Sequence, residues 1–129
     1  MKDFEVTGPL APAFNRLQTL RELPAGWDED NEYAHVITNE SIEAAWTLVV
    51  FSADNNKELP DIFPLEDGGV QIEWSSAEQV TSVEITPAGD EFQLFDLSPV
   101  AGDAITSIED ATLEDAKNFI LHAIDTKDA

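Results

Sequence analysis

Asp28, Asp30 and Glu32 stand at alternate positions, the spacing by which a calcium loop presents its first three ligands. The rest of such a loop is missing. Its sixth position, where the sharp turn needs glycine, is Tyr33; its twelfth, where a bidentate glutamate closes the cage, is Asn39. An EF-hand is excluded, and no metal site is assigned. Weak, incidental divalent binding follows from the number of carboxylates alone. The chain has no cysteine, which removes disulfides, thiolate nucleophiles and cysteine-ligated metals. Its two histidines are His35, in a loop, and His122, in the last predicted helix. No third group is recognisably placed to orient either. His122 lies among Ile120, Leu121 and Ala123 and reads as a helix-surface or boundary residue. No Gly-x-Ser-x-Gly, P-loop or Rossmann glycine pattern occurs. Carboxylate pairs are too common here to single out a glycosidase-like one. No catalytic residue and no cofactor is assigned, and the chain reads as a non-enzyme.

The acids matter more as a field than as ligands. Between Lys57 and Lys117 no basic residue occurs, and those 59 positions hold fifteen Asp and Glu. The whole chain carries 27 acids against six Lys and Arg, a formal net charge of −21. Such a field repels nucleic acid and anionic membrane and attracts basic surfaces over a Debye length, about 8–10 Å at physiological salt. Direct nucleic-acid binding fails, because six basic residues cannot neutralise a phosphate backbone across any sizeable face. Self-repulsion of this size also costs stability at low salt.

Length and composition fit one domain spanning residues 1–129, long enough to bury a core without staples. A hydrophobic content of 43% argues against disorder. The opening Met1-Lys2-Asp3-Phe4-Glu5 lacks the pattern of a signal peptide. The longest apolar run, Ala44 to Phe51, is too short to span a bilayer. The chain reads as soluble and cytoplasmic.

Residues 1–9 read as a loose lead-in. Pro9 and Pro12 open a first helix whose Phe14, Leu17, Leu20 and Arg21 follow helical spacing up to Leu23-Pro24. A loop over 24–32 contains Trp27. In the second helix, Thr38 or Asn39 caps a stripe of Ile42, Ala45, Trp46, Val49, Val50 and Ala53, widened by Leu48 and Phe51. A β-meander follows. Ile62 to Leu65 pairs with Val70 to Ser75 across Glu66-Asp67-Gly68-Gly69, and Pro64 puts the first strand at an edge. A third strand runs from Val80 to Thr86 and a fourth from Glu91 to Leu97, joined by Pro87-Ala-Gly-Asp90. Residues 98–111 read as an irregular connection before a last helix starting at Thr112. The fold class is α+β: two N-terminal helices, a four-stranded antiparallel meander and a C-terminal helix packed on the sheet.

Period two puts Val70, Ile72, Trp74, Val83 and Ile85 under the helices and leaves Glu73 and Glu84 on the outer face. The fourth strand is apolar on both sides. Phe92 and Leu94 form one set, and Phe95 and Leu97 form a second that needs a cover. The last helix is the simpler cover; a partner, including a second copy of the chain, is the alternative. Trp46 and Trp74 read as core. Trp27 either folds back on the first two helices or serves as the apolar anchor of an interface, rimmed by Asp28, Glu29 and Asp30.

Three segments, Leu23-Pro-Ala-Gly-Trp-Asp28, Pro64-Leu-Glu-Asp-Gly-Gly-Val-Gln-Ile-Glu-Trp74 and Val83-Glu-Ile-Thr-Pro-Ala-Gly-Asp90, carry a resemblance. Together they resemble a loose group of small bacterial proteins with a Gly-Trp-Asp loop, a helix and an Asp-Gly-Gly-Val-Gln-(Leu/Ile)-Glu-Trp hairpin. The likeness spans about residues 14–97 and implies the layout of two helices and a meander, without an activity. The chain departs from the group in having Glu29 and Asp30 after Asp28, where the group has a glycine after the aspartate, and in its heavier acid load. By charge alone it also resembles acidic inhibitors that imitate DNA, among them uracil-DNA-glycosylase inhibitors, anti-restriction proteins and anti-CRISPR proteins.

The leading expectation is a non-catalytic inhibitor of a basic, nucleic-acid-handling protein: an antitoxin, an immunity protein or a phage-borne inhibitor. Its contact residues would be Glu73 and Glu84 on the sheet face, Glu66, Asp67, Asp90 and Glu91 in the turns, and the Trp27 loop. Two rivals differ in what they expect of the acids. An accessory domain whose acidity serves solubility or a saline cytoplasm would scatter them evenly. A small metal-assisted hydrolase would converge them in a pocket.

Overall fold

The computed structural model describes residues 8–76, 79–98 and 103–124. A 3₁₀ turn, Gly8–Leu10, leads into α1 (Ala11–Arg21), followed by α2 (Asn39–Asp54), five strands and α3 (Leu113–Ala123). The strands are β1 (Asp61–Pro64), β2 (Val70–Ser75), β3 (Val80–Ile85), β4 (Phe92–Ser98) and β5 (Asp103–Ala111), in one antiparallel sheet of order β1-β2-β3-β4-β5. The α+β class holds. Of the expected lead-in, residues 1–7 lie outside the described residues.

The sheet has one strand more than the sequence suggested. Residues 103–111, expected to be irregular, form β5 against β4, with register shifts between Phe92 and Leu94 and between Asp96 and Leu97. These bulges break the strict alternation that makes a strand legible. The Asp, Glu and Ala content of the segment also lowers its strand propensity.

All three helices line one face of the sheet. Thr38 caps α2 by accepting from the Ser41 N–H, and Thr112 and Asp115 form a reciprocal capping box at the start of α3. The core cluster joins Leu17 and Leu20 of α1, Leu48 and Val49 of α2, and Ile120 of α3 to Ile72, Val83, Ile85, Phe92 and Leu94 of the sheet. Removing the side chain of Leu48 or Ile72 down to alanine would cost about 2–5 kcal/mol. Trp74 is buried as expected, and its Nε1 donates to the Glu58 carbonyl at 2.8 Å. Trp46 is only partly buried, in an edge-on contact with Phe14 at 5.5 Å, because the buried stripe of α2 centres on Ser41, Ala45, Leu48 and Ser52.

Helix α3 shares the core with Phe92 and Leu94, so period two turns Phe95 and Leu97 to the other face. The expected cover of that second set by the last helix is thereby overturned. Leu97 is 42% exposed, and Phe95 is half-buried.

Candidate functional site

One residue, Thr38, ties three acidic segments together at one end of the sheet. Its N–H donates to the Gly68 carbonyl at 3.0 Å, and its Oγ1 donates to the Pro87 carbonyl. The loop before α2 is thus held to the β1–β2 turn and the β3–β4 turn at once. The His35 N–H adds a bond to the Glu66 carbonyl at 2.8 Å. Gly69 makes the close approach feasible, since a Cβ there would run into the Ile85 carbonyl.

This junction brings carboxylates from distant sequence positions into contact. Asp28, Glu66, Asp67 and Glu84 line one shallow depression of about 530 Å³, with Trp27 and Phe63 as its apolar walls. Asp28 is held below the usual aspartate range, first by the Asp30 N–H, which donates to its Oδ1 at 2.9 Å, and then by a hydrogen bond from the Glu66 carboxyl. Asn31 Nδ2 also donates to Glu66 Oε1, at 2.7 Å. Glu84 is pushed up by burial and, secondarily, by the charge of Asp67. On the neighbouring turn, Glu91 is pushed up by its hydrogen bond with Asp110, then by the charge of Asp110, with burial and the charge of Asp90 adding less. Like charges are therefore placed side by side, and local donors hold them there.

Trp27 is half-buried. It packs partly against the core, and its Nε1 donates to the His35 carbonyl at 2.8 Å, which closes its own loop. Besides Phe63, the exposed apolar residues of this end are Tyr33, 79% exposed, and Val36, 48% exposed, beside Asp67 and Pro87 in a second depression. The sequence reading missed both. Their signal was weak: two apolar residues in an aperiodic loop, with nothing to show which way they point.

The remaining expected contact residues fall as follows. Glu29 and Asp30 are exposed in the loop, and Asp90 and Glu91 are exposed at the β3–β4 turn. Glu73 does share the outer face with Glu84, but register pairs it with Asp61 and Ser82, further from the junction. There it accepts from Gln71 Nε2 at 3.2 Å and Ser75 Oγ at 3.0 Å, and it borders a cavity with Glu58 and Asp61. As expected, Glu73 and Glu84 share the outer face, as diagonal neighbours on either side of Gln71.

Among the described residues, no group of three His, Cys, Asp or Glu is arranged to hold a metal ion. His122 is exposed, with Nδ1 2.7 Å from the Asn118 carbonyl. No helix of the described residues is long and apolar enough to cross a membrane. Comparison with protein-family models, with curated proteins and with solved structures finds no match.

Proposed function

We propose that this protein is a non-catalytic binding protein whose acidic end occupies the basic surface of a partner, and that the partner is a nucleic-acid-handling protein such as a nuclease or toxin. The observation that carries the reading is the convergence at Thr38. Three separate segments bring Asp28, Glu66, Asp67 and Glu84 around one depression, and Tyr33 and Val36 lie exposed beside it. An apolar centre with a charged rim is the anatomy of a recognition surface. The carboxylates would stand where a basic enzyme meets phosphates, and opposite charge would steer a fast association. Glu84 is raised by burial and then by the charge of Asp67, so a partner's Lys or Arg would relieve a cost already present.

Affinity capture from the native cell lysate tests this, with wild type beside Glu66→Gln/Asp67→Asn and Tyr33→Ala. A basic protein retained at ~0.1 M salt, released by ~0.5 M salt and lost with both variants supports the reading. Equal capture by all three proteins, or none at either salt, overturns it.

A further inference from the structure

On the helical side of the sheet, α3 stops short of covering β4 and β5. Leu94, Ile108, Phe119 and Ala123 wall a cleft of about 540 Å³ there. Ile108 is 42% exposed although its cross-strand partner Leu94 is 1% exposed, so the cleft is open and its lining apolar. Asp96 borders this cleft and is only 9% exposed. Its Oδ1 accepts from Gln79 Nε2 at 2.6 Å and from Thr81 Oγ1 at 3.4 Å. Among the described residues, no donor reaches its Oδ2. Two other rim groups each have one atom committed elsewhere. Asp115 Oδ2 accepts from the Thr112 N–H in the helix cap, and His122 Nδ1 is engaged with the Asn118 carbonyl.

A carboxylate nine-tenths buried beside apolar walls is costly unless its charge is met. Two neutral donors fix one oxygen and thereby orient the other. We propose that this cleft is a cation subsite: it takes an ammonium or guanidinium group on a short apolar stem, the side chain of a lysine or arginine carried by the basic partner. The charged head meets Asp96, and the stem lies against Ile108 and Phe119. Snorkelling side chains of this kind bury their methylenes while the head stays paired. The identity of the occupant rests on the binding function proposed above; the cation preference of the cleft does not.

A titration of the ¹⁵N-labelled protein with n-butylguanidinium chloride, followed by two-dimensional NMR, separates the two. Saturable shifts at Ile108 and Phe119 are expected, with weaker response to n-butanol, and with affinity reduced about tenfold in Asp96→Asn. The asparagine can still accept from Gln79 and Thr81, so the spectrum reports directly whether the fold survives. Ile108→Arg, at an exposed site, supplies a competing cation and should abolish the response. Shifts confined to the Asp28–Glu66 end, equal binding by n-butanol, or unchanged affinity in both variants would overturn the subsite. Probe binding in a protein that captures no basic partner would instead place the failure in the partner reading.

Discussion

The Lys57 ammonium donates to the Ile124 carbonyl at 2.6 Å and to the Leu121 carbonyl at 3.3 Å. A cation just past the end of α2 therefore closes the C-terminus of α3. Asn56, at φ 63°, turns the chain so that Lys57 points back under the last helix, a conformation that asparagine tolerates better than most residues. In a chain with six basic residues, one of them is spent inside, 8% exposed, on the negative end of a helix. Lys57→Met keeps the stem and removes the charge. It should destabilise the protein by about 1.5–3 kcal/mol in urea melts, the worth of a charged hydrogen bond. A midpoint equal to wild type would show that the bond contributes nothing net. The pair of half-buried Lys117 with exposed Glu114, at 4.0 Å, sets the contrast: Lys117→Met should shift the midpoint by under about 1 kcal/mol.

Acidification should first stabilise the protein and then destabilise it. Glu84 and Glu91 have folded values above the ordinary glutamate value of 4.5. A raised acid binds more protons folded than unfolded, so its penalty is fully present above its folded value and fades as pH falls through that value. Asp28 runs the other way. Its lowered value gives stability that is present above the ordinary 3.8 and is lost as pH falls through the folded value. The melting temperature should therefore rise as pH falls from ~7.5 through the raised folded values of Glu84 and Glu91, and decline once pH falls below the ordinary aspartate value of 3.8. Glu84→Gln should flatten the rise. A melting temperature that falls steadily from pH ~7.5 downward would contradict the assignment of these shifts.

Much of this fold was legible because its elements carry period and caps. Helix α2 has a wide apolar stripe and a threonine cap, and β2 and β3 alternate cleanly, so their bounds were found almost to the residue. Strand β5 escaped because bulges interrupt its pairing and acids dilute its pattern. The site was legible only in its residue types. Asp28, Glu66, Asp67 and Glu84 read as acids on loops and an outer face, but their meeting depends on the β2–β3 register and on bonds from Asn31, His35 and Thr38 to the β1–β2 turn. No local pattern encodes such a junction. Trp27 stands out in the sequence as an aromatic rimmed by acids, but its indole N–H is satisfied within the loop and Tyr33 is the more exposed side chain.

Gly69 is a sharp test of the junction. A Cβ at this position would collide with the Ile85 carbonyl, which belongs to the strand bearing Glu84. Gly69→Ala forces the β1–β2 turn away from β3 and should cost about 2–3 kcal/mol, as overpacking does. Gly8→Ala is the control, since a Cβ there meets nothing within 4 Å, although its φ of +83° still adds backbone strain. Differential scanning fluorimetry of both would rank them. Equal losses would mean that the close approach at Gly69 is not what holds the turn.

The net charge of −21 makes a last prediction about solvent. Acids placed side by side at Asp67–Glu84 and Glu91–Asp110 repel in the folded state, and exposed charges are screened efficiently by salt. Raising sodium chloride from ~0.05 M to ~0.5 M should therefore stabilise the protein by ~1 kcal/mol, a rise of roughly 4 °C in melting temperature for a chain of this length. The same salt step should weaken capture of a basic partner, because screening removes both the internal repulsion and the external attraction. Stability and binding thus move in opposite directions with ionic strength. If stability rose with salt while capture did not weaken, the acids would serve the solvent and the partner would be held by Tyr33 and Val36 alone.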